Sequence, residues 1–264
     1  MISKDTKDAA RAIPAATILL LRDSANGLEV LMVERHHEVE FGGGALVFPG
    51  GRTSRRDHDP ALDGFIDGGA DWAPEFRALA IAAIREAFEE AGVLLARDAA
   101  SGMFVNADRL AELDPFREEL EREHVTLPEF LRAGNLRLAC DQLVSFAHWI
   151  TPRNMPKRFD THFFLARAPM GQEGRHCGRE SVDSLWVRPG EAVKVAPGKM
   201  MFPTRMNLMK LAHVANVQDA FAAAHAAPLV PVEPWIEKTA SETFIRIRDD
   251  AGYEPTRFPV HEMM

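Results

Sequence analysis

The amino-terminal part of the chain alternates between apolar runs and short polar segments, a pattern typical of β-strands. Residues 16–21 form one apolar run and residues 28–35 another, and an Asn-Gly pair lies between them. Asn-Gly in that position favours a two-residue turn, so the pattern predicts a β-hairpin. A third short strand is predicted at 45–48. It should end at Pro49, because proline cannot donate to the ladder, and the following Gly-Gly lets the backbone approach a ligand closely.

A long helix is predicted over residues 74–91, between a polar loop and a glycine. Pro74 suits the first turn of a helix, and Gly92 suits the residue just beyond its end. The preceding loop, residues 52–71, is rich in Gly, Asp and Pro. The rest of the pattern predicts helical segments at 107–123, 127–132 and 204–225, and strands at 143–150, 161–167, 185–187 and 244–248.

The order of these elements predicts a mixed α/β fold, because strands and helices do not alternate as they do in a parallel βαβ sheet. We expect a single domain, residues 1–264, whose core covers about 14–225. A loop insertion at 52–71 and a helical insertion at about 98–140 interrupt that core. Residues 226–264 then form a carboxyl-terminal extension.

Composition narrows the class of protein. The 264 residues include 31 Lys and Arg and 39 Asp and Glu, a formal net charge of −8, which argues against a nucleic-acid-coating or membrane-surface protein. Cys140 and Cys177 are too few for a disulfide framework and lack zinc-site spacing. No apolar run approaches the roughly 18 residues of a membrane span, and the amino terminus lacks a secretory h-region. We therefore expect a cytoplasmic protein with no membrane or nucleic-acid partner.

The predicted helix 74–91 carries three carboxylates on one face. At about 100° per residue, Glu86, Glu89 and Glu90 cluster there, while an apolar stripe lies on another face. Like charges at this spacing repel one another, and a hard divalent cation such as Mg²⁺ or Mn²⁺ would offset the repulsion. Taken by themselves, the three glutamates could instead form a solvated acidic face of the helix that binds no metal. Arg85 is placed to pair with Glu89 four residues later and to orient its carboxylate.

The segment 85–93, REAFEEAGV, together with the FPGG of residues 48–51, resembles the Nudix hydrolases. The box of that family reads G-x5-E-x7-R-E-U-x-E-E-x-G-U, where U is aliphatic. The resemblance implies the Nudix α/β/α sandwich with a mixed β-sheet, and metal-dependent cleavage of a diphosphate linked to another moiety. It implies that Glu86, Glu89 and Glu90, with the Gly50 carbonyl, hold Mg²⁺ or Mn²⁺.

The chain departs from the family box in its front half. Counted from Gly51, the first Glu of the box falls at position 57, which is Asp57, and the Arg falls at 65, whereas Arg85 comes 20 residues later. We therefore expect the 52–71 loop to separate the front of the box from its helix, with no single residue clearly replacing the first Glu. That interruption is similar to the peroxisomal-type coenzyme A diphosphatases and their bacterial relatives. Segments that share this similarity are 148–152, 158–164 and 180–187.

Cationic residues outside the helix are candidate substrate contacts. The loop 151–158 contains Arg153, Lys157 and Arg158, which suit the binding of phosphates, although a solvated basic loop is the alternative. Arg35 ends a predicted strand and is a further candidate. Gly50 and Gly51 are expected beside the substrate, as the resemblance implies.

The predicted reaction is attack of water on one phosphorus of a nucleoside diphosphate derivative. One of the three helix glutamates, or Glu180, is expected to accept the proton of that water. The subgroup resemblance implies coenzyme A or acyl-coenzyme A as the substrate, giving 3′,5′-ADP and (acyl-)phosphopantetheine. Alternatives are NADH, ADP-ribose or a dinucleoside polyphosphate, or a catalytically silent binding module. A homodimer is left open, and His148, in an apolar strand, is predicted to be a core histidine.

Overall fold

The computed structural model describes residues 10–37, 43–178, 181–195 and 197–262. The chain opens with the predicted hairpin, in which β1 (Ile13–Ser24) pairs antiparallel with β2 (Gly27–Arg35). Gly27 has a φ of 105°, which a side chain would strain, so the turn depends on this glycine. Two short strands follow, β3 (Leu46–Val47) and β4 (Gly50–Arg52). The glycine pair of the sequence motif therefore forms a strand, and Gly50 pairs with Thr17 of β1.

The polar loop 52–71 contains local structure that its composition did not indicate. It includes two 3-10 helices, Arg55–His58 and Pro60–Phe65. Helix α1 then runs from Pro74 to Ala91 and ends at Gly92 in the left-handed conformation, with φ 63°. The bounds predicted for this helix are confirmed.

The segment after α1 consists of a two-stranded ribbon and three short helices. Its elements are β5 (Ala96–Asp98), α2 (Ala107–Leu113), α3 (Phe116–Glu121), α4 (Leu127–Ala133) and β6 (Leu136–Leu138), and β5 pairs with β6. A 3-10 turn, Cys140–Gln142, follows them. The helical stretch predicted at 107–123 consists of two short helices, α2 and α3. Pro115 separates them, because it has no N–H to donate to the carbonyl four residues before it.

The remaining strands and helices complete the sheet and cover its second face. In chain order they are β7 (Val144–Ile150), β8 (Phe159–Arg167), β9 (Ser181–Val187), α5 (Pro189–Val195), α6 (Phe202–Leu211), α7 (Val217–Ala226), β10 (Pro231–Val232), β11 (Trp235–Lys238), β12 (Thr243–Arg246) and β13 (Arg257–Pro259). The predicted helix 204–225 is divided in two. Asn216 caps α7 by accepting a hydrogen bond from the Asp219 amide, which starts a new helix there.

Eight strands form one mixed sheet. Its main order is β10-β7-β8-β1-β2-β3, while β4 pairs with β1 and β9 pairs with β2. Strand β8 runs parallel to β1, whereas β7 and β8 are antiparallel. In β1, Ile18 and Leu20 face α1 and the helical segment, and Leu19 and Leu21 face the core that contains α6 and α7. Helices therefore cover both faces of the sheet, and the predicted α/β/α sandwich is confirmed.

The carboxyl-terminal residues pack against the second face of the sheet rather than extending away from it. Strands β11, β12 and β13 form a small separate sheet. Tyr253, close to it in sequence, accepts a hydrogen bond from the Trp149 indole at 3.0 Å and donates one to Asn207 at 2.7 Å. These buried bonds connect the extension to β7 and α6.

No helix within the described residues has the length and apolar character needed to cross a bilayer.

Candidate active site

The carboxyl-terminal half of α1 carries its charged residues into the interior. The Arg85 side chain is only 3% exposed, and its Nη1 donates to Glu86 and to Glu89, each at 2.8 Å. Burial alone would lower the pKa of Arg85, but Glu86 and Asp57 raise it well above its usual value. One buried cation therefore holds two of the three clustered glutamates, as the i, i+4 spacing from Arg85 to Glu89 predicted.

Asp57 is the second anchor of Arg85. Its side chain is fully buried, and its two oxygens accept from Arg85 Nε at 2.8 Å and Nη2 at 3.2 Å. This contact makes Asp57 the candidate for the place of the first Glu of the box, for which the sequence offered no clear replacement. The signal was present, since Asp57 stands at the box position counted from Gly51. The additional residues of the interrupted box therefore follow Asp57, between it and α1.

A capped turn holds Asp57 in place. Ser54 begins the first 3-10 helix, and its backbone amide donates to the Asp57 carboxylate at 2.7 Å in a capping box. This carboxylate thus receives hydrogen bonds from both the turn and Arg85. The turn residue and the helix residue fix each other although 28 positions separate them in the chain.

The two glycines of β4 let the strand lie directly against the acidic face of α1. The Gly50 amide donates to Glu90 Oε2 at 3.0 Å. A Cβ added at Gly51 would stand 2.4 Å from Glu86 Oε1, well inside contact distance. A side chain at Gly51 would therefore need the space that the Glu86 carboxylate occupies, and a side chain at Gly50 would clash with the backbone of β1 at Ala16 and Thr17.

The three glutamates fit a divalent cation by their chemistry. Glu89 Oε1 is buried and has no hydrogen-bond partner among the residues that the structure describes. Burial, opposed by Arg85, raises the pKa of Glu89 to about 7. Carboxylate oxygens are the donors that Mg²⁺ and Mn²⁺ prefer. The oxygens of Glu86, Glu89 and Glu90 do not all lie within 4.8 Å of one another, so a shared ion would require side-chain rotation.

The end of α1 is fastened by residues that the sequence pattern did not single out. Arg117 of α3 is buried and donates to the carbonyls of Phe88 at 2.9 Å and Glu89 at 3.2 Å. The Ser181 hydroxyl donates to the carbonyl of Glu90 at 2.9 Å. A cation at a helix carboxyl end satisfies orphan carbonyls and opposes the helix dipole. The helical segment after α1 therefore holds the carboxyl end of α1 in place.

A cavity of about 1660 Å³ opens over this acidic face, and residues of the basic loop line it. Glu86, Glu89, Glu90, Gly50 and Gly51 line the cavity, and so do Arg35, Arg153 and Lys157. Sequence reasoning missed Arg52 and Arg56, which also line it. The structure thus brings together most of the predicted site residues, although they come from β2, β4, α1 and the β7–β8 loop.

Two predicted site residues are not part of this group. Arg158 is buried, and it donates to the carbonyls of Thr151 and Ala10, each at 2.9 Å, and pairs with Glu233. The structure therefore gives Arg158 a role in holding the base of the loop, in place of the predicted contact with substrate. Glu180 lies outside the described residues.

An arginine-bound glutamate cluster on one helix, facing a glycine strand of a mixed sandwich, defines the Nudix class of hydrolases. The family model for the NUDT19 Nudix domain matches residues 67–204, just over half of the chain. The chain therefore belongs to the Nudix hydrolases, enzymes that generally use divalent metal ions.

Individual relatives agree with this assignment. The chain is 29% identical over 206 residues to a Caenorhabditis elegans protein named nudix hydrolase 7, covering 78% of this chain and 61% of that one. It is 27% identical over 257 residues to the human acyl-coenzyme A diphosphatase NUDT19, an alignment that covers 80% of this chain and 68% of that one. A solved Nudix hydrolase from Alicyclobacillus acidocaldarius is 28% identical with a TM-score of 0.65, covering 81% of this chain and 96% of that one. The chain spans about three fifths to two thirds of the length of these two curated relatives.

Proposed function

We propose that this Nudix hydrolase cleaves the diphosphate of coenzyme A or an acyl-coenzyme A, giving 3′,5′-ADP and (acyl-)phosphopantetheine. The observation that carries the proposal is the cavity itself, in which the glutamate cluster faces Arg35, Arg153 and Lys157. The name of the human relative, acyl-coenzyme A diphosphatase, supports the same substrate class. Other Nudix substrates, and a silent binding module, remain the competing proposals.

The glutamate cluster is proposed as the site of hydrolysis. Glu86, Glu89 and Glu90, with the Gly50 carbonyl, would hold Mg²⁺ or Mn²⁺, which supplies a Lewis acid toward the diphosphate oxygens. Arg85 positions two of these carboxylates through its hydrogen bonds at 2.8 Å. One of the glutamates, or Glu180, accepts a proton from the attacking water.

The cations of the cavity wall are proposed as phosphate contacts. Arg35 Nε is buried without a hydrogen-bond partner among the described residues, so an anion in the cavity would satisfy it. Arg153 is 79% exposed and meets Glu233 only at 3.7 Å, which leaves its guanidinium able to turn toward a ligand. Coenzyme A carries a 3′-phosphate that NADH and ADP-ribose lack. Arg153 and Lys157 therefore suit that third phosphate.

The size and apolar part of the cavity suit the remainder of the substrate. Ligand cavities usually measure about 300–1,000 Å³, and this one is larger. Met155, Trp235 and Ile236 line it and are 40–49% exposed, an unusual state for large apolar side chains. We propose that they contact the pantetheine and acyl portion.

The test compares substrates and variants in Mg²⁺ and in Mn²⁺. Wild-type protein should cleave coenzyme A or a short acyl-coenzyme A faster than 3′-dephospho-coenzyme A, NADH or ADP-ribose. Arg153→Ala and Lys157→Ala should each reduce that preference about tenfold, as for one lost charge-assisted hydrogen bond. Arg167→Ala, an exposed arginine on β8 that does not line the cavity, is the matched control. Faster cleavage of NADH, or no preference for the 3′-phosphate, would refute the coenzyme A proposal.

The catalytic role of the cluster is tested separately. Glu89→Gln and Glu90→Gln should each lower turnover by about a hundredfold or more while the metal-free protein stays folded. Glu75→Gln, in the exposed first turn of the same helix, should leave turnover unchanged. Near-normal turnover in both cluster variants would refute the glutamates as the site of hydrolysis, whereas a wild-type protein without any turnover would favour the silent binding module.

A further inference from the structure

A second group of potential metal ligands lies on strands β7 and β8. His148 stands directly opposite His162 in the antiparallel pair, and Asp160 lies two residues before His162. The ligand atoms of these three side chains all lie within 4.8 Å of one another. Within the described parts of the chain, this is the only group of three His, Cys, Asp or Glu side chains to converge so closely.

The group lies on the face of β7 and β8 that α1 covers, and none of its three side chains lines the catalytic cavity. Side chains alternate along a strand, so Trp149 and Thr161, the neighbours of these residues, point to the other face. Trp149 and Thr161 line the cavity, whereas none of the three ligands does. On the ligand side, the ring of Phe76 from α1 lies 5.8 Å from the His162 ring. Phe76 precedes Glu86 by ten residues, which is about 15 Å along α1, so the group is separate from Glu86, Glu89 and Glu90.

Hydrogen bonding within the group is incomplete. His148 Nε2 bonds to Asp160, and the two imidazole rings are stacked with centroids 4.0 Å apart. His162 Nδ1 is buried and has no hydrogen-bond partner in the part of the chain that the structure describes. A buried ring nitrogen without a partner is costly unless a ligand satisfies it, and neutral imidazole is the form that binds metals.

We propose that His148, Asp160 and His162 form a second metal site, which takes a divalent transition metal such as Zn²⁺. Two imidazoles and one carboxylate are donors that such ions accept, with water completing the coordination. The Asp160 side chain is 40% exposed and the His148 side chain 14%, so an ion can enter from solvent. The proposal does not depend on which substrate the enzyme cleaves.

The position of the site suggests a structural consequence. The three residues join the ends of β7 and β8 beside the loop 151–158, which contributes Arg153 and Lys157 to the cavity. An ion bound by both strands would stabilise their pairing there. Binding should therefore raise the melting temperature, because an ion that binds only the folded state stabilises it by mass action.

The experiment measures Zn²⁺ binding in an excess of Mg²⁺, by equilibrium dialysis with elemental analysis. Wild-type protein should retain one Zn²⁺ per chain and show a higher melting temperature with the ion. The Glu89→Gln, Glu90→Gln double variant should bind Zn²⁺ equally well, because its changes lie at the catalytic cluster. Asp160→Asn and His148→Gln should each weaken Zn²⁺ binding roughly a hundredfold. Loss of an outer-shell partner already weakens metal binding by about 10–100-fold, and loss of a direct ligand should weaken it at least as much.

His213→Ala, an exposed histidine, is the matched control and should bind Zn²⁺ as wild type does. Asp160→Asn keeps the size of a partly exposed side chain, so circular dichroism should show that it folds. The proposal is overturned if wild-type protein retains no Zn²⁺ in Mg²⁺, or if Asp160→Asn binds it as tightly as wild type. It is also overturned if only the glutamate double variant loses the ion.

Discussion

Gly51→Ala should disable the enzyme without unfolding it. The new Cβ would stand 2.4 Å from Glu86 Oε1 and 2.5 Å from Cδ, whereas ordinary contact begins at 3.4 Å. The carboxylate must therefore move by about 1 Å, and a displacement of that size in a catalytic group costs about a hundredfold in rate. That loss corresponds to about 2.7 kcal/mol of activation free energy.

Stability should change little in the same variant. The atoms that the methyl group meets belong to the end of a flexible side chain, and Gly51 does not have a positive φ. We expect the free energy of unfolding to remain within about 1 kcal/mol of wild type, as for Gly→Ala at a compatible position. The assays are steady-state hydrolysis with Mg²⁺ and urea unfolding of the metal-free protein.

Two other glycines provide the controls. At Gly64 a Cβ would meet nothing within 4 Å, so Gly64→Ala should preserve both activity and stability. At Gly50 the Cβ would meet the Ala16 carbonyl oxygen at 2.5 Å and the Thr17 Cα at 2.7 Å, so Gly50→Ala should destabilise the sheet itself. Wild-type turnover in Gly51→Ala, or activity losses that merely follow stability across the three variants, would refute the reasoning.

Two further predictions concern residues that hold the site together, and a third concerns the two cysteines. Asp57→Asn should lower the free energy of unfolding by about 3 kcal/mol, because it breaks a buried pair with Arg85. Arg117→Ala should lower the free energy of unfolding, measured in urea, by about 3 kcal/mol, because it leaves buried helix carbonyls without donors. A disulfide reagent at pH 8 should modify Cys177, which lines the cavity, but not Cys140, because burial raises the pKa of Cys140 to about 12.

Each of these predictions has its own control. Asp63→Asn breaks an exposed pair with Arg77 and should cost less than about 1 kcal/mol. Arg109→Ala removes a partly exposed arginine from α2 of the same segment and should cost much less than Arg117→Ala. If Asp57→Asn and Asp63→Asn, or Arg117→Ala and Arg109→Ala, lower the free energy of unfolding equally, burial does not explain the importance of Asp57 or Arg117. Equal modification of both thiols in the folded protein would contradict the burial argument for Cys140.

Local sequence determined the helix and its chemistry. Pro74 and Gly92 mark the two ends of α1, because their backbone preferences act at single residues without help from distant contacts. The positions of the three glutamates on one face follow from helical periodicity alone. The hairpin of β1 and β2 likewise follows from a turn whose residues are adjacent in sequence.

The tertiary structure decided which distant residues complete the site. Asp57 lies at the position that the family box predicts, yet only the fold shows that it binds Arg85 across a 28-residue separation. Arg158 and Arg153 share one basic loop, but packing buries the first on backbone carbonyls and leaves the second exposed. The anchor Arg117 has no local signal at all. Such roles depend on burial and on contacts between segments far apart in the chain, and neither is encoded in the pattern of neighbouring residues.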